Sequence, residues 1–211
     1  MGRIQETNVG NFVAWVYIPR VRAAFKEWAV VVDALGRGEQ VIILRKGGIA
    51  EDRGEFELEQ ERFFLFPTRF HQQRESVLPA AQRRFDEMGL PPTDKLVLEF
   101  FAEVQEWRRL ESLTEAQRLR GLHIWRDEII AQRVDWGRER SIFALVVRVF
   151  CLPGRVELPM ESSYGGCKSW VDLETDVSTQ GSQPVLADEA FKKKLQDFRV
   201  ALGADERLET Y

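Results

Sequence analysis

Arg45-Lys46-Gly47-Gly48 follows directly on an apolar run, Val41-Ile42-Ile43-Leu44. A strand that ends in two cations and two glycines presents positive charge and bare backbone N–H groups together, which is what an anion such as phosphate needs. The glycines also admit close backbone approach or positive φ. A strand end with solvated cations and a glycine turn would use the same residues. A second group is Phe66-Pro67-Thr68 with His71-Gln72: an aromatic ring, a hydroxyl and two side chains that donate and accept hydrogen bonds, suited to stacking on and reading a splayed base. A strand terminus followed by a polar loop is the plainer alternative. The third is Tyr164-Gly165-Gly166-Cys167-Lys168-Ser169-Trp170, a glycine turn between two aromatics, where Tyr164 or Trp170 would wall a base pocket and Lys168 would touch phosphate. A closing strand with a packed Trp170 and a structural thiol at Cys167 is its alternative. The nucleic-acid-binding residues expected from these patterns are Arg45, Lys46, Gly47, Gly48, Phe66, Thr68, His71, Gln72, Tyr164, Lys168 and Trp170.

No catalytic set stands out. Cys167 as a nucleophile requires a lowered pKa, which Lys168 would assist. His71 has no serine or cysteine partner near it in sequence. His123 and Trp125 read as core or helix-surface groups. Two histidines and two cysteines, none at zinc-ligand spacing, give no expectation of a metal or another cofactor. Glu55, Glu57, Glu59 and Glu61 offer carboxylates for a divalent cation. The Asp/Glu-x-Lys pattern of restriction-type nucleases is absent, because no acidic residue stands two positions before any of the seven lysines.

The charge of −4 excludes indiscriminate polyanion binding over the whole surface. Of the 30 basic residues 23 are arginine, the cation suited to bidentate contacts with phosphate and base edges; a GC-rich genome gives the same bias. With 44% apolar and 11% aromatic residues the chain is globular. It has no apolar run of the roughly 18 residues that span a bilayer. Phe12 to Ile18 is short and lacks a signal-peptide cleavage pattern, so a cytoplasmic location, reduced cysteines and no membrane partner are expected.

The elements that must position these groups follow from hydrophobic periodicity. Phe25, Trp28, Ala29, Val32 and Leu35 have helical spacing, and Gly36 and Gly38 end that helix. The segment from Val41 is a buried strand. Glu55 to Thr68 partly alternates and reads as a strand stopped at Pro67. Ser76 to Gly89 reads as a helix with Pro79 in its first turn, and Pro91-Pro92 as a rigid linker. Lys95 to Trp107 is a strand or strand pair. Ser112 and Glu115 form a capping box for a helix to about Val134, with Leu119, Leu122, Trp125 and Ile129 on one face. Ser141 to Leu152 is the strongest β signal and is expected to end at Pro153-Gly154. Asp188 to Leu202 is a helix whose Phe191, Leu195, Phe198 and Leu202 pack on the body or meet a partner. The order predicts an α+β fold: a mixed or antiparallel sheet curled into a β-barrel, flanked by helices. The divisions are 1–24, an N-terminal extension; 25–174, the α+β domain; 175–187, a linker; and 188–211, a C-terminal helix and tail.

The stretches KEWAVVVDALGRGEQVIILRKGGI, FFLFPTRFHQ, LHIWRDEIIAQRVDW and YGGCKSWVDLE together resemble a bacterial family known as domain of unknown function 1802, over about Lys26 to Glu174. That resemblance implies no activity. A second, looser one lies in the helix followed by Gly38-x-Gln40-x-x-x-x-Arg45-Lys46, which is similar to the opening of ASCH domains of the PUA-like superfamily. It implies a PUA/ASCH-like barrel that binds RNA or a modified or flipped base in a cleft. ASCH hydrolases of modified cytidine carry a lysine at the position of Gln40, and glutamine is neither base nor nucleophile, so this departure counts against hydrolysis.

Three function classes remain on this reading. The first is a nucleic-acid-binding module for RNA or DNA. The second is a hydrolase or nuclease acting on nucleic acid or nucleosides. The third is a non-catalytic module with a protein partner on Phe191, Leu195, Phe198 and Leu202.

Overall fold

The structure is a computed structural model and describes residues 3–9, 12–18, 20–46, 60–69, 73–137, 139–166 and 168–203. The first two strands, β1 (Arg3–Val9) and β2 (Phe12–Ile18), pair antiparallel with each other in a sheet of their own. The main sheet is built from β3 (Arg20–Trp28), β4 (Ile42–Arg45), β5 (Arg62–Thr68), β6 (Lys95–Leu110), β7 (Ile142–Pro159), β8 (Trp170–Ser178) and the short β9 (Gln183–Pro184). Its order is β4-β7-β6-β5-β3-β8, with β9 added to β7. β3 and β5 run parallel, and the other pairs are antiparallel, so the sheet is mixed. The fold is α+β, with the helices α1 (Ala29–Gly36), α2 (Pro79–Glu87), α3 (Leu113–Arg118), α4 (Asp127–Asp135) and α5 (Asp188–Ala201) around that sheet.

The sheet curls until its two edges approach. Arg45 at the end of β4 donates a 2.6 Å hydrogen bond to the hydroxyl of Ser169, which immediately precedes β8 at the opposite edge. Consecutive side chains on a strand point to opposite faces, and here both faces are covered. Phe63 and Leu65 enter one apolar cluster, shared with α1, Trp125 and α5; Phe64 and Phe66 enter another, shared with Leu96, Leu98, Leu152, Tyr164 and Leu173. That double burial explains why residues 63–66 read as an unbroken apolar run.

Several boundaries differ from the sequence reading. Phe25 to Trp28 are the end of β3 and not a helix; α1 starts at Ala29, and its buried Val30, Val31 and Val32 lie against the sheet. Arg20 to Ala24, expected in the extension, are the first half of that strand. Pro67 sits within β5 opposite Glu27 in place of ending it. The expected helix from Ser112 to Val134 is two. Gly121, at φ +83°, lies in the turn between α3 and α4, and Trp125 is buried in that turn. Ser112 does cap α3, accepting from the Glu115 N–H at 3.2 Å. β7 runs on past Pro153-Gly154 to Pro159, because β6 continues beside it as far as Lys95. Residues 175–178 of the expected linker extend β8. The stripe on α5 closes on the protein's own core: Phe191 and Phe198 are buried, with Leu195 and Leu202 packed beside them. A protein partner on that stripe is thereby corrected, since the chain itself covers it.

Candidate functional site

The parallel register of β3 and β5 sets Lys26 beside Phe66, Glu27 beside Pro67 and Trp28 beside Thr68. Both strands therefore end at the same rim. The residues just before β8 join them, the Lys26 N–H donating to the Ser169 carbonyl at 2.8 Å. A single turn of helix at Ser162–Tyr164, followed by Gly165 and by Gly166 at φ +77°, folds the third wall over this rim. Tyr164 is buried there, and its hydroxyl accepts the Glu174 N–H at 3.0 Å, which ties the turn to β8. These pieces enclose an open hollow of about 570 Å³.

Its floor is apolar. Phe66 and Tyr164 meet edge to face at 6.1 Å, with Met160, Pro91 and Pro92 adjoining and half-buried Trp28 at one side. Its rim is cationic. Among the described residues Lys26, Arg45, Arg69 and Lys168 line it against the single carboxylate of Glu161. Arg45 is held on three sides: by Ser169, by the Phe25 ring 4.8 Å from its guanidinium carbon, and by Glu27, whose Oε2 is 3.9 Å from Nη1. Glu27 is a buried carboxylate whose other oxygen accepts the Trp28 N–H at 2.8 Å. The Lys26 ammonium donates to the carbonyls of Gly165 and Gly166 and lies 5.8 Å from the Phe66 ring centre. Thr68 donates its hydroxyl to the Glu27 carbonyl at 3.1 Å. Lys168 is exposed.

Of the residues expected from sequence, Arg45, Phe66, Thr68, Tyr164 and Lys168 come together around this hollow. Lys46 does not line it. Its ammonium donates to the carbonyls of Val134 at 3.0 Å and Ser141 at 2.9 Å, and to that of Glu139, bridging α4 to β7; burial holds its pKa below the usual lysine value. Trp170 packs edge to face on Phe25 at 4.7 Å and Phe63 at 5.0 Å, in the core and away from the hollow. Gly47, Gly48, His71, Gln72 and Cys167 lie outside the described residues, as do Glu55, Glu57 and Glu59. Gln40 is structural: its amide donates to the Ile42 carbonyl at 2.8 Å and accepts the Ile124 N–H at 3.1 Å. Among the described residues no group of three His, Cys, Asp or Glu side chains is disposed to hold a metal, and no helix is long and apolar enough to cross a membrane.

Sequence reasoning missed Lys26, Trp28, Arg69 and the wall at Pro91-Pro92. A signal for the first two was present. In Ala23-Ala24-Phe25-Lys26, Ala23 and Phe25 enter one apolar cluster while Ala24 enters the other and Lys26, two positions on, shares its side, a period of two that the helical spacing of Phe25, Trp28 and Val32 overshadowed.

Residues 24–197 match the model of the family described as domain of unknown function DUF1802. No curated protein matches the chain. Among solved structures the chain is similar to an ASCH protein from Zymomonas mobilis at 11% identity and a TM-score of 0.44, over 82% of this chain and 92% of that one. A serine-to-alanine mutant of that protein gives 12% and 0.44 over 85% and 97%. A tyrosine-to-phenylalanine mutant gives 12% and 0.41 over 82% and 96%.

Proposed function

The chain belongs to the DUF1802 family, and from the chemistry of its pocket we propose that it is a nucleic-acid-binding module that seats one nucleotide of RNA or DNA, a modified or flipped base included. The observation that carries this reading is the composition of the hollow: among the described residues four cations against one carboxylate, around an aromatic floor, in a chain whose net charge is −4. Local positive charge on a negative protein marks where an anion is gripped. An apolar bed with a half-exposed indole beside it suits a base face, and arginines on the rim suit its phosphates. A pocket for one nucleotide needs less overall positive charge than a surface that tracks a duplex. Arg45, held by Ser169, Phe25 and Glu27, has its guanidinium fixed before any ligand arrives, which limits the entropy lost on binding.

The test is fluorescence anisotropy with labelled single-stranded RNA, single-stranded DNA and base-modified duplexes at two salt concentrations. Arg69→Ala and Lys168→Ala are the informative substitutions, because neither side chain is part of the buried core. Each is expected to weaken binding and to lower the salt slope by about 1 without shifting the melting temperature. Unchanged affinity in the double variant sinks the assignment of this pocket.

A further inference from the structure

A second hollow, of about 330 Å³, adjoins the first, and Trp28 lines both. Trp136, Gln73, Gln132, Lys46 and Arg133 also line it, with no carboxylate among its lining residues. Trp136 is 72% exposed, more than any other large apolar side chain among the described residues. An indole left that far in water is a flat aromatic platform with no ring stacked on it among the described residues. Trp136 stands on a firm base: it caps the end of α4, with its backbone N–H donating to the Gln132 carbonyl at 3.0 Å. The ridge between the hollows is rigid as well. Trp28 packs edge to face on buried Trp125 at 4.8 Å, and the Arg133 guanidinium lies 3.8 Å from the Trp125 ring centre. Burial lowers the Arg133 pKa to about 10, which still leaves it a cation at neutral pH. Gln73 and Gln132 are exposed amides that donate and accept.

We infer that the two hollows are consecutive base sites on one single strand: a nucleotide in the first, the flanking base stacked on Trp136, and Trp28 as the ridge between them. This rests on the reading of the first hollow as a nucleotide site. It makes the ligand an oligonucleotide that is unpaired at this point, and not a free nucleotide, which would fill the first hollow and leave Trp136 in water. The cations of the first hollow lie on the strand's path, while the exposed amides of the second meet base edges without demanding one base.

The experiment compares the four nucleoside 5′-monophosphates, by titration calorimetry, with labelled mixed-sequence RNA and DNA hexamers, by anisotropy, on the full chain and on Trp136→Ala and Trp136→Phe. Trp136→Ala is expected to weaken hexamer binding about 5- to 150-fold, the range for losing one base–aromatic stack. Monophosphate binding is expected to stay unchanged, and Trp136→Phe to recover most of the hexamer affinity. Hexamer affinity unaltered by Trp136→Ala overturns the second site and leaves the first standing. Equal weakening of hexamers and monophosphates also overturns it, since Trp136 would then serve the first hollow. No binding of any probe to the unmodified chain overturns both readings.

Discussion

His123 shows how a single side chain writes itself into the protein's response to pH. It is 5% exposed, its Nδ1 accepts the Trp125 N–H at 3.2 Å, and its Nε2 is buried without a hydrogen-bond partner among the described residues. Burial first, and then the charge of Arg133, push its pKa down to about 4, with the charge of Asp127 acting the other way. The folded pKa is below the unfolded value of about 6.5, so the unfolded chain binds the extra proton between them. The contribution is therefore fully present above about pH 6.5 and is lost as the pH falls to about 4. Over that window the loss is about 3 kcal/mol. Urea denaturation at pH 7.5 and 4.5 checks this, with His123→Gln as the reference: the variant keeps an acceptor but cannot titrate, so its stability is expected to fall less between the two values. An equal fall in both chains refutes the role of His123. At the same scale, Lys46 looked like Arg45 in sequence, yet its three carbonyl acceptors make it a brace between α4 and β7. Whether an ammonium faces a ligand or a backbone depends on contacts some 90 residues away, which two adjacent letters do not encode.

At the level of elements, the turn from α1 into β4 depends on Gly38. Its φ is +67°, a region that a side chain disfavours, and a Cβ there would sit 2.5 Å from Leu186. Gly89, past the end of α2, has the same φ with nothing within 4 Å of that position. The pair separates two costs. Gly89→Ala is expected to lose about 1 kcal/mol for the backbone conformation alone, and Gly38→Ala up to about 3 kcal/mol, because Leu186 must also move. Thermal melts of the two variants decide this, and equal losses would show that Leu186 yields freely. The same turn was legible in sequence, since Gly36 and Gly38 closed an apolar helical stretch. The strand before it was not, because Phe25 and Trp28, leading into α1, also fit a helical period. β3 is extended because β5 and β8 offer it hydrogen bonds on both sides, and tertiary pairing of that kind outweighs local spacing.

For the whole molecule, α5 is part of the core and not an appendage. Phe198 is fully buried and Phe191 nearly so. Arg199 reaches the Glu106 carboxylate at 2.8 Å, and Lys194 the Glu39 carbonyl at 3.0 Å. Phe198→Ala is expected to cost about 3–5 kcal/mol, the range for emptying a large aromatic site in a packed core. A chain ending after Gln183 is expected to lose its cooperative melt, because the first apolar cluster would open to water. A shortened chain that stays monodisperse and melts at the original temperature would return the stripe on α5 to the list of partner surfaces.

The amino-acid sequence alone determined the α+β class, the existence of most elements, the cap at Ser112, the C-terminal helix and the family resemblance. These depend on periodicity, capping residues and breakers within a few positions of one another. It also singled out Arg45, Phe66, Thr68, Tyr164 and Lys168 by residue type. Only the tertiary structure decided which of the marked residues meet. The parallel pairing of β3 with β5 set Lys26 and Trp28 on the pocket, and the curl that brings β4 to Ser169 turned Arg45 toward it while Lys46 turned to α4. The same packing sent Trp170 into the core. The physical reason is distance along the chain: Arg45 and Ser169 are 124 residues apart, and a contact of that span is fixed by sheet order and burial, neither of which leaves a local pattern in the letters.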